Sequence, residues 1–197
     1  MNQKSRRNVL DLLAAVILAA GPAGGAEDRA LKAGVFSPAR IAPDFTLPAS
    51  DGSALNLGRF RGKVVVLGFG FTSCPDVCPI TLAVLAQARS KLGELGDQLQ
   101  VVYITVDPER DDAAQMQRYV TAFDPSFIGG TGTDEQLSAV REEYGIIAKK
   151  KVDGENYTFA HSSYTYLIDR DGRLRALMTY GHTAEDFAHD IRILLEE

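Results

Sequence analysis

Two cysteines are the residues of this sequence best suited to chemistry. Cys74 and Cys78 are the only cysteines among 197 residues, and three residues separate them. An apolar run at residues 64–71 precedes them and a helical pattern at residues 82–88 follows, which predicts a strand, a loop and then a helix. The cysteines are expected at or near the N-terminus of that helix, where the helix dipole and free N–H groups favour thiolate over thiol.

The spacing of this pair leaves three roles open. Cα atoms four residues apart on a helix are about 6.2 Å apart, which is within the range of a disulfide. The same spacing places both sulfurs on one face of the helix, where they could share a metal ion. The pair could therefore act as a dithiol, a disulfide or half of a metal site. A disulfide that closes so short a loop removes little chain entropy, so the spacing favours chemistry over structural cross-linking.

The first residues have the pattern of an export signal. Basic residues precede a short apolar core at residues 12–20, and small residues follow it to Ala26. We therefore predict a signal peptide over residues 1–26, used by the Sec or the twin-arginine route, with an uncleaved membrane anchor as the alternative. Export predicts a periplasmic protein in an oxidising compartment, attached to the membrane only through such an anchor.

The remaining residues have the length of one domain. Residues 27–40 show no clear period and are predicted to be a linker, and residues 41–197 are the predicted domain. The formal net charge of −5 makes the chain a poor candidate for binding nucleic acid.

Strand and helix patterns alternate along the predicted domain. Buried strands are expected at residues 63–70 and 99–106, each followed by a helical pattern. A hairpin around Asp171-Gly172 and a terminal helix after Thr183 complete the order. This order predicts an α/β fold, namely a thioredoxin-like three-layer α/β/α sandwich with a central mixed sheet. Sites in such sheets lie at the carboxyl ends of the strands, where the two cysteines fall.

Three histidines are available as a further ligand, and they are His161, His182 and His189. The helical pattern puts His189 near a polar face, and His182 follows the last strand in a loop, so both are expected to face solvent. His161 precedes an apolar strand at residues 164–168. It can face the cysteines only if its loop folds over the end of the strand at 63–70. From spacing alone, a hydrogen-bonded histidine at a strand entry is the stronger interpretation.

Four ordered segments resemble motifs of the Sco/SenC family. Residues 70–79 are similar to the copper-site motif of that family, and residues 105–111 resemble its second motif. Residues 123–133 are similar to its third motif, and residues 161–169 resemble the segment that contains its ligand histidine. The resemblance extends over residues 40–195, in register throughout.

The resemblance implies a thioredoxin-fold copper-binding protein that helps to assemble the dinuclear copper centre of cytochrome c oxidase subunit II. By position, Cys74, Cys78 and His161 would be the copper ligands, and such a ligand set suits copper(I) and copper(II). The expected partner is subunit II or another extracytoplasmic copper protein. The chain departs from the family at Ala160, where an Asp is frequent, so an acidic partner for the imidazole is absent from that position.

Two further hypotheses stay open. Export and a close cysteine pair also suit a thiol–disulfide oxidoreductase that keeps the cysteines of a partner reduced, although the usual redox spacing is C-x-x-C. Residues 42–45 and the order of strand and cysteine also occur in peroxiredoxin-like peroxidases. The chain is therefore predicted to be primarily a metallochaperone, and an enzyme only if it also reduces disulfides.

Overall fold

This computed structural model describes residues 30–197, which contain ten strands and four α-helices. The strands are β1 (Gly34–Ile41), β2 (Leu47–Pro48), β3 (Ala54–Leu55), β4 (Val64–Gly70), β5 (Leu99–Thr105), β6 (Ile128–Gly130), β7 (Ala148–Asp153), β8 (Asn156–His161), β9 (Tyr164–Ile168) and β10 (Arg173–Thr179). The helices are α1 (Val77–Leu92), α2 (Ala113–Thr121), α3 (Asp134–Glu143) and α4 (Ala184–Glu196). The signal peptide expected at residues 1–26 lies outside the described residues.

Six strands form one mixed sheet in the order β1-β10-β9-β4-β5-β6. β4, β5 and β6 pair in parallel, whereas β9, β10 and β1 add antiparallel pairs on the other side of β4. β4 and β5 are buried along their whole length. Burial on both faces explains why the sequences of β4 and β5 are nearly continuously apolar, because such strands have no solvent-facing side to carry polar residues. The predicted central mixed sheet is confirmed.

Side-chain caps fix where the outer helices begin. Thr133 and Gln136 form a capping box at the start of α3, as their spacing predicts. Thr183 and Asp186 form the same arrangement at the start of α4, and Asp112 caps α2. None of the helices within residues 30–197 is long and apolar enough to cross a membrane.

The structure differs from the sequence prediction ahead of residue 41. Residues 34–40, expected to belong to a linker, lie in the edge strand β1, which pairs with β10. Most of β1 is exposed, so its sequence has no apolar alternation, and its place in the sheet comes from backbone pairing. Residues 31–197 accordingly form one compact unit.

The topology brings three segments to one edge of the sheet. β4 and β5 are parallel, so their last residues, Gly70 and Thr105, lie side by side. β9 is antiparallel to β4, and its second residue Thr165 pairs with Gly68. The loop after β4, the loop after β5 and the end of β8, which precedes β9, therefore meet at this edge.

Gly70 permits a close approach of side chains at the end of β4. A Cβ added there would lie 2.7 Å from the Cys78 sulfur and would also meet the Tyr103 hydroxyl. Any side chain at this position must displace both groups, because real Cβ contacts are not so short.

We expect Gly70→Ala to lower the free energy of unfolding by about 1–3 kcal/mol, because the added methyl overpacks this edge. Urea unfolding followed by circular dichroism measures the change. Gly34→Ala is the matched control, since its Cβ would meet only the Leu177 carbonyl oxygen at 3.6 Å, an ordinary contact. That control should change the unfolding free energy by less than about 0.5 kcal/mol. Equal effects of the two substitutions would contradict this account.

Candidate metal centre

The two cysteines lie on different elements. Cys78 is the second residue of α1 and is fully buried, whereas Cys74 lies in the turn before the helix and is half-buried. Because α1 begins at Val77, the helical spacing considered for the pair does not apply. Asp76, at the N-cap position, makes no side-chain capping bond. Both cysteines are free thiols.

Burial has the largest effect on the Cys78 thiol. Desolvation raises the pKa of Cys78 to about 12, against a smaller opposing effect of a hydrogen bond with Tyr103, and the neighbouring Cys74 raises it further. The prediction that a helix N-terminus makes this residue a thiolate is therefore wrong for Cys78, which is a neutral thiol at neutral pH. Its sulfur must lose a proton when it binds a metal.

His161 is the side chain that the structure brings to Cys78. Its Nε2 lies 3.5 Å from the Cys78 sulfur, and its Nδ1 lies 2.9 Å from the Ser162 carbonyl oxygen. A carbonyl can only accept, so Nδ1 holds the proton and the lone pair of Nε2 faces the sulfur. The Ser162 carbonyl oxygen therefore orients the imidazole ring. An acidic side chain at position 160 could serve the same role, but Ala160 has none. Burial also lowers the pKa of His161, which keeps the imidazole neutral.

One aromatic ring contacts the histidine directly, and a second packs behind it. The Phe71 ring makes an edge contact with the imidazole at 5.9 Å between centroids, and Phe159 makes a similar contact with Phe71 at 5.8 Å. The Phe71 ring excludes water from one side of the imidazole and so contributes to the burial that disfavours its charged form.

Buried Asp111 connects the cysteine loop to the end of β5. It accepts hydrogen bonds from the Thr72 amide at 2.9 Å and from the hydroxyls of Thr72 and Thr105 at 2.6 Å each. Thr72 precedes Cys74 by two residues, and Thr105 is the last residue of β5. The carboxylate therefore fixes the start of the cysteine loop relative to the sheet.

The β7–β8 hairpin ends at His161, and its side chains contact the loop after β5. The Tyr157 hydroxyl donates to Asp107 at 3.0 Å, and Arg110 donates to the Tyr157 carbonyl oxygen at 3.1 Å while its guanidinium lies 3.9 Å from the tyrosine ring centroid. Lys150 of β7 forms an ion pair with Glu109 at 2.6 Å. No local sequence pattern indicates Tyr157 as a partner of this loop.

The other two histidines have different neighbours. His182 is half-buried with its Nδ1 3.9 Å from Asp186, and half-buried His189 lies 2.8 Å from Asp190, so neither faces solvent as fully as the sequence suggests. Cys74 interacts with Cys78, yet within residues 30–197 no three His, Cys, Asp or Glu side chains converge as a metal-binding group. The structure thus brings two of the three predicted ligands together and holds Cys74 nearby.

Comparison with known proteins gives one family. A family model described as SCO1/SenC matches residues 35–196. The mitochondrial SCO2 homolog of Mus musculus is 39% identical over 153 residues, which are 76% of this chain and 60% of that protein. An SCO2-like protein of Rickettsia conorii is 35% identical over 137 residues, covering 68% of this chain and 67% of the relative.

A solved structure shows the same architecture. The structure of Bradyrhizobium japonicum ScoI with copper bound has a TM-score of 0.72 and 34% sequence identity, and the match covers 78% of this chain and 99% of that one. The predicted thioredoxin-like fold class is thereby confirmed.

We expect iodoacetamide to alkylate Cys74 of the folded, reduced protein at pH 8 at least about 100-fold faster than Cys78, whose raised pKa and burial suppress the reactive thiolate. Tandem mass spectrometry locates the label. Below its pKa, the Cys78 rate should rise about tenfold for each pH unit, because the thiolate fraction does. In urea the two rates should converge, and similar rates in the folded protein would refute the assignment of Cys78 as the protected thiol.

Proposed function

Because the chain belongs to the SCO1/SenC family, we propose that it is a copper metallochaperone with Cys74, Cys78 and His161 as the copper ligands. The observation that supports this ligand set is the 3.5 Å approach of the Cys78 sulfur to His161 Nε2, with the lone pair of a neutral imidazole facing the sulfur. Thiolate and imidazole are ligands that suit copper. Bradyrhizobium japonicum ScoI, which is 34% identical, has been solved with copper bound.

The described side chains fit copper as a cargo. His161 is already neutral and needs no deprotonation, whereas the Cys78 thiol releases its proton to solvent as the metal binds. Cys74 lies in the turn before α1, where rotation of its side chain can add the second sulfur without moving the sheet. Three ligands leave an open coordination position, through which a receiving protein can take copper by ligand exchange.

The receiving protein in this proposal is extracytoplasmic. Members of the family act in cytochrome oxidase assembly, and we assign subunit II of cytochrome c oxidase, or another extracytoplasmic copper protein, as the receiver. Residues 1–26 would direct export, and the protein would work in the periplasm, either free or held by an N-terminal anchor.

One observation favours a second function, reduction of a disulfide in a partner protein. Half-buried Cys74 lies beside fully buried Cys78, and both are free thiols. In such a pair the accessible thiol can attack a partner disulfide, and the buried thiol can then resolve the mixed disulfide, which leaves the partner reduced and the pair oxidised. Copper loading needs the reduced pair, so the two functions use the same state of the site.

Copper titration of the reduced full-length chain tests the ligand set. We expect His161→Ala to weaken copper(II) binding by about 100-fold or more, because an orienting group alone is worth 10–100-fold at a metal site. Cys78→Ser should remove the contribution of Cys78 to the thiolate-to-copper(II) absorption and leave that of Cys74. His182→Ala is the matched control, because His182 lies near Asp186 and not near the sulfurs, and it should keep the wild-type affinity. Unchanged affinity and spectrum in His161→Ala would overturn the assignment.

Reduction of a disulfide-linked peptide by the reduced protein separates the second function from the first. Each pair supplies two electrons, so one peptide disulfide should be reduced per protein while Cys74 and Cys78 become oxidised. A reductase needs both sulfurs but no imidazole ligand, so His161→Ala should retain this reaction while Cys74→Ser should lose it. If the reduced wild-type protein does not reduce the peptide, the reductase function is excluded. Peroxide consumption in the same samples tests the peroxidase hypothesis.

A further inference from the structure

A buried tyrosine lies behind the Cys78 sulfur. Tyr103 is in β5, opposite Gly68 of β4 in the parallel register, and it is 2% exposed. Two glycines of β4 make room for it. A Cβ on Gly68 would lie 2.8 Å from the tyrosine ring, and a Cβ on Gly70 would meet the tyrosine hydroxyl and, at 2.7 Å, the Cys78 sulfur. The hydroxyl and the sulfur therefore both border the space above Gly70.

Because both groups face a side chain built on Gly70, the tyrosine hydroxyl lies where it can donate a hydrogen bond to the Cys78 sulfur, which lowers the pKa of Cys78 against the larger effect of burial and, with burial, raises that of Tyr103. A phenol hydroxyl buried without a partner destabilises a fold, and the Cys78 sulfur is the acceptor that faces the same space above Gly70. The Cys78 thiol can then donate to His161 Nε2, and His161 Nδ1 donates to the Ser162 carbonyl oxygen. The four groups form one chain in which every donor points in the same direction.

We propose that Tyr103 is a positioning residue of the copper site, whose hydroxyl orients the Cys78 sulfur towards His161 and favours copper(I) over copper(II). This inference rests on the proposed function. A hydrogen bond to a thiolate ligand withdraws electron density from the sulfur, and hydrogen bonding around a cysteine ligand is known to tune the potential of copper sites. Because the hydrogen-bonded sulfur donates less electron density to the metal, binding of the more highly charged copper(II) is weakened more than binding of copper(I).

Phenylalanine at position 103 would fill the same space without donating, so Tyr103→Phe isolates the hydroxyl. We expect the thiolate-to-copper(II) absorption band of this variant to shift. The ratio of copper(I) to copper(II) affinity should fall about tenfold, which equals about 59 mV for a one-electron couple. Tyr166→Phe is the matched control, because Tyr166 of β9 is 3% exposed and its hydroxyl donates to the Tyr144 carbonyl oxygen, away from the sulfur. The control should leave both readouts unchanged.

A readout without copper distinguishes failure of this inference from failure of the proposed function. In a Cys74→Ser background, Cys78 has the only S–H group of the chain, and infrared spectroscopy can follow its stretching band. Adding Tyr103→Phe should move this band to higher wavenumber, because a sulfur that accepts no hydrogen bond donates more weakly to His161. An unshifted band in folded protein would refute the hydrogen bond, even if wild-type copper binding proceeds as proposed.

A second variant covers the case in which Tyr103→Phe does not fold. Incorporation of 3-fluorotyrosine at position 103 retains the hydroxyl and makes it a stronger donor. The S–H band and the copper affinity ratio should then move in the direction opposite to that expected for Tyr103→Phe. A shifted S–H band with an unchanged affinity ratio would refute the preference for copper(I), and movement in the same direction for both variants would refute the role of the donor.

Discussion

The candidate site depends on a thiol and an imidazole that share a buried environment. Exclusion of water raises the pKa of Cys78 and lowers that of His161, so both groups are neutral, and a fold can bury neutral groups 3.5 Å apart at little cost. Entry of a cation replaces the thiol proton and leaves a thiolate whose charge is compensated by the metal. Burial therefore disfavours a thiolate alone at this site and allows one only together with a bound cation.

The mixed sheet supplies the geometry for this pair. A purely parallel sheet would put only strand ends at this edge, whereas antiparallel β9 also places the start of a strand beside the end of β4. His161 lies just ahead of β9 and Cys78 just after β4, so residues 83 positions apart in the chain come into contact. Asp111 then fixes the loop between β4 and α1, because its carboxylate accepts hydrogen bonds from Thr72 in that loop and from Thr105 at the end of β5.

The sequence was most informative where burial is continuous and least informative where exposure or long-range contact decides the structure. The apolar runs at β4 and β5, and the capping box at Thr133, follow from local rules. The edge strand β1 does not, because its exposed residues have no apolar period. The thiolate prediction failed because the helix position of Cys78 is visible in the sequence while its desolvation is not. Tyr103 looks like one more apolar residue of a buried strand, although glycines at alternate positions of β4 are a sign of close approach.

The hairpin that ends at His161 makes part of the site less stable than the rest. β7 and β8 pair only with each other in a two-stranded sheet and β7 is mostly exposed, and the hairpin contacts the rest of the domain through a few side chains, namely Phe159, Tyr157 and Lys150. Cys78, in contrast, belongs to the core. Local unfolding of such a hairpin requires less free energy than unfolding of the domain. It would withdraw the imidazole of His161 and leave both sulfur atoms in place, so the set of side chains at this edge of the sheet is coupled to a local folding equilibrium.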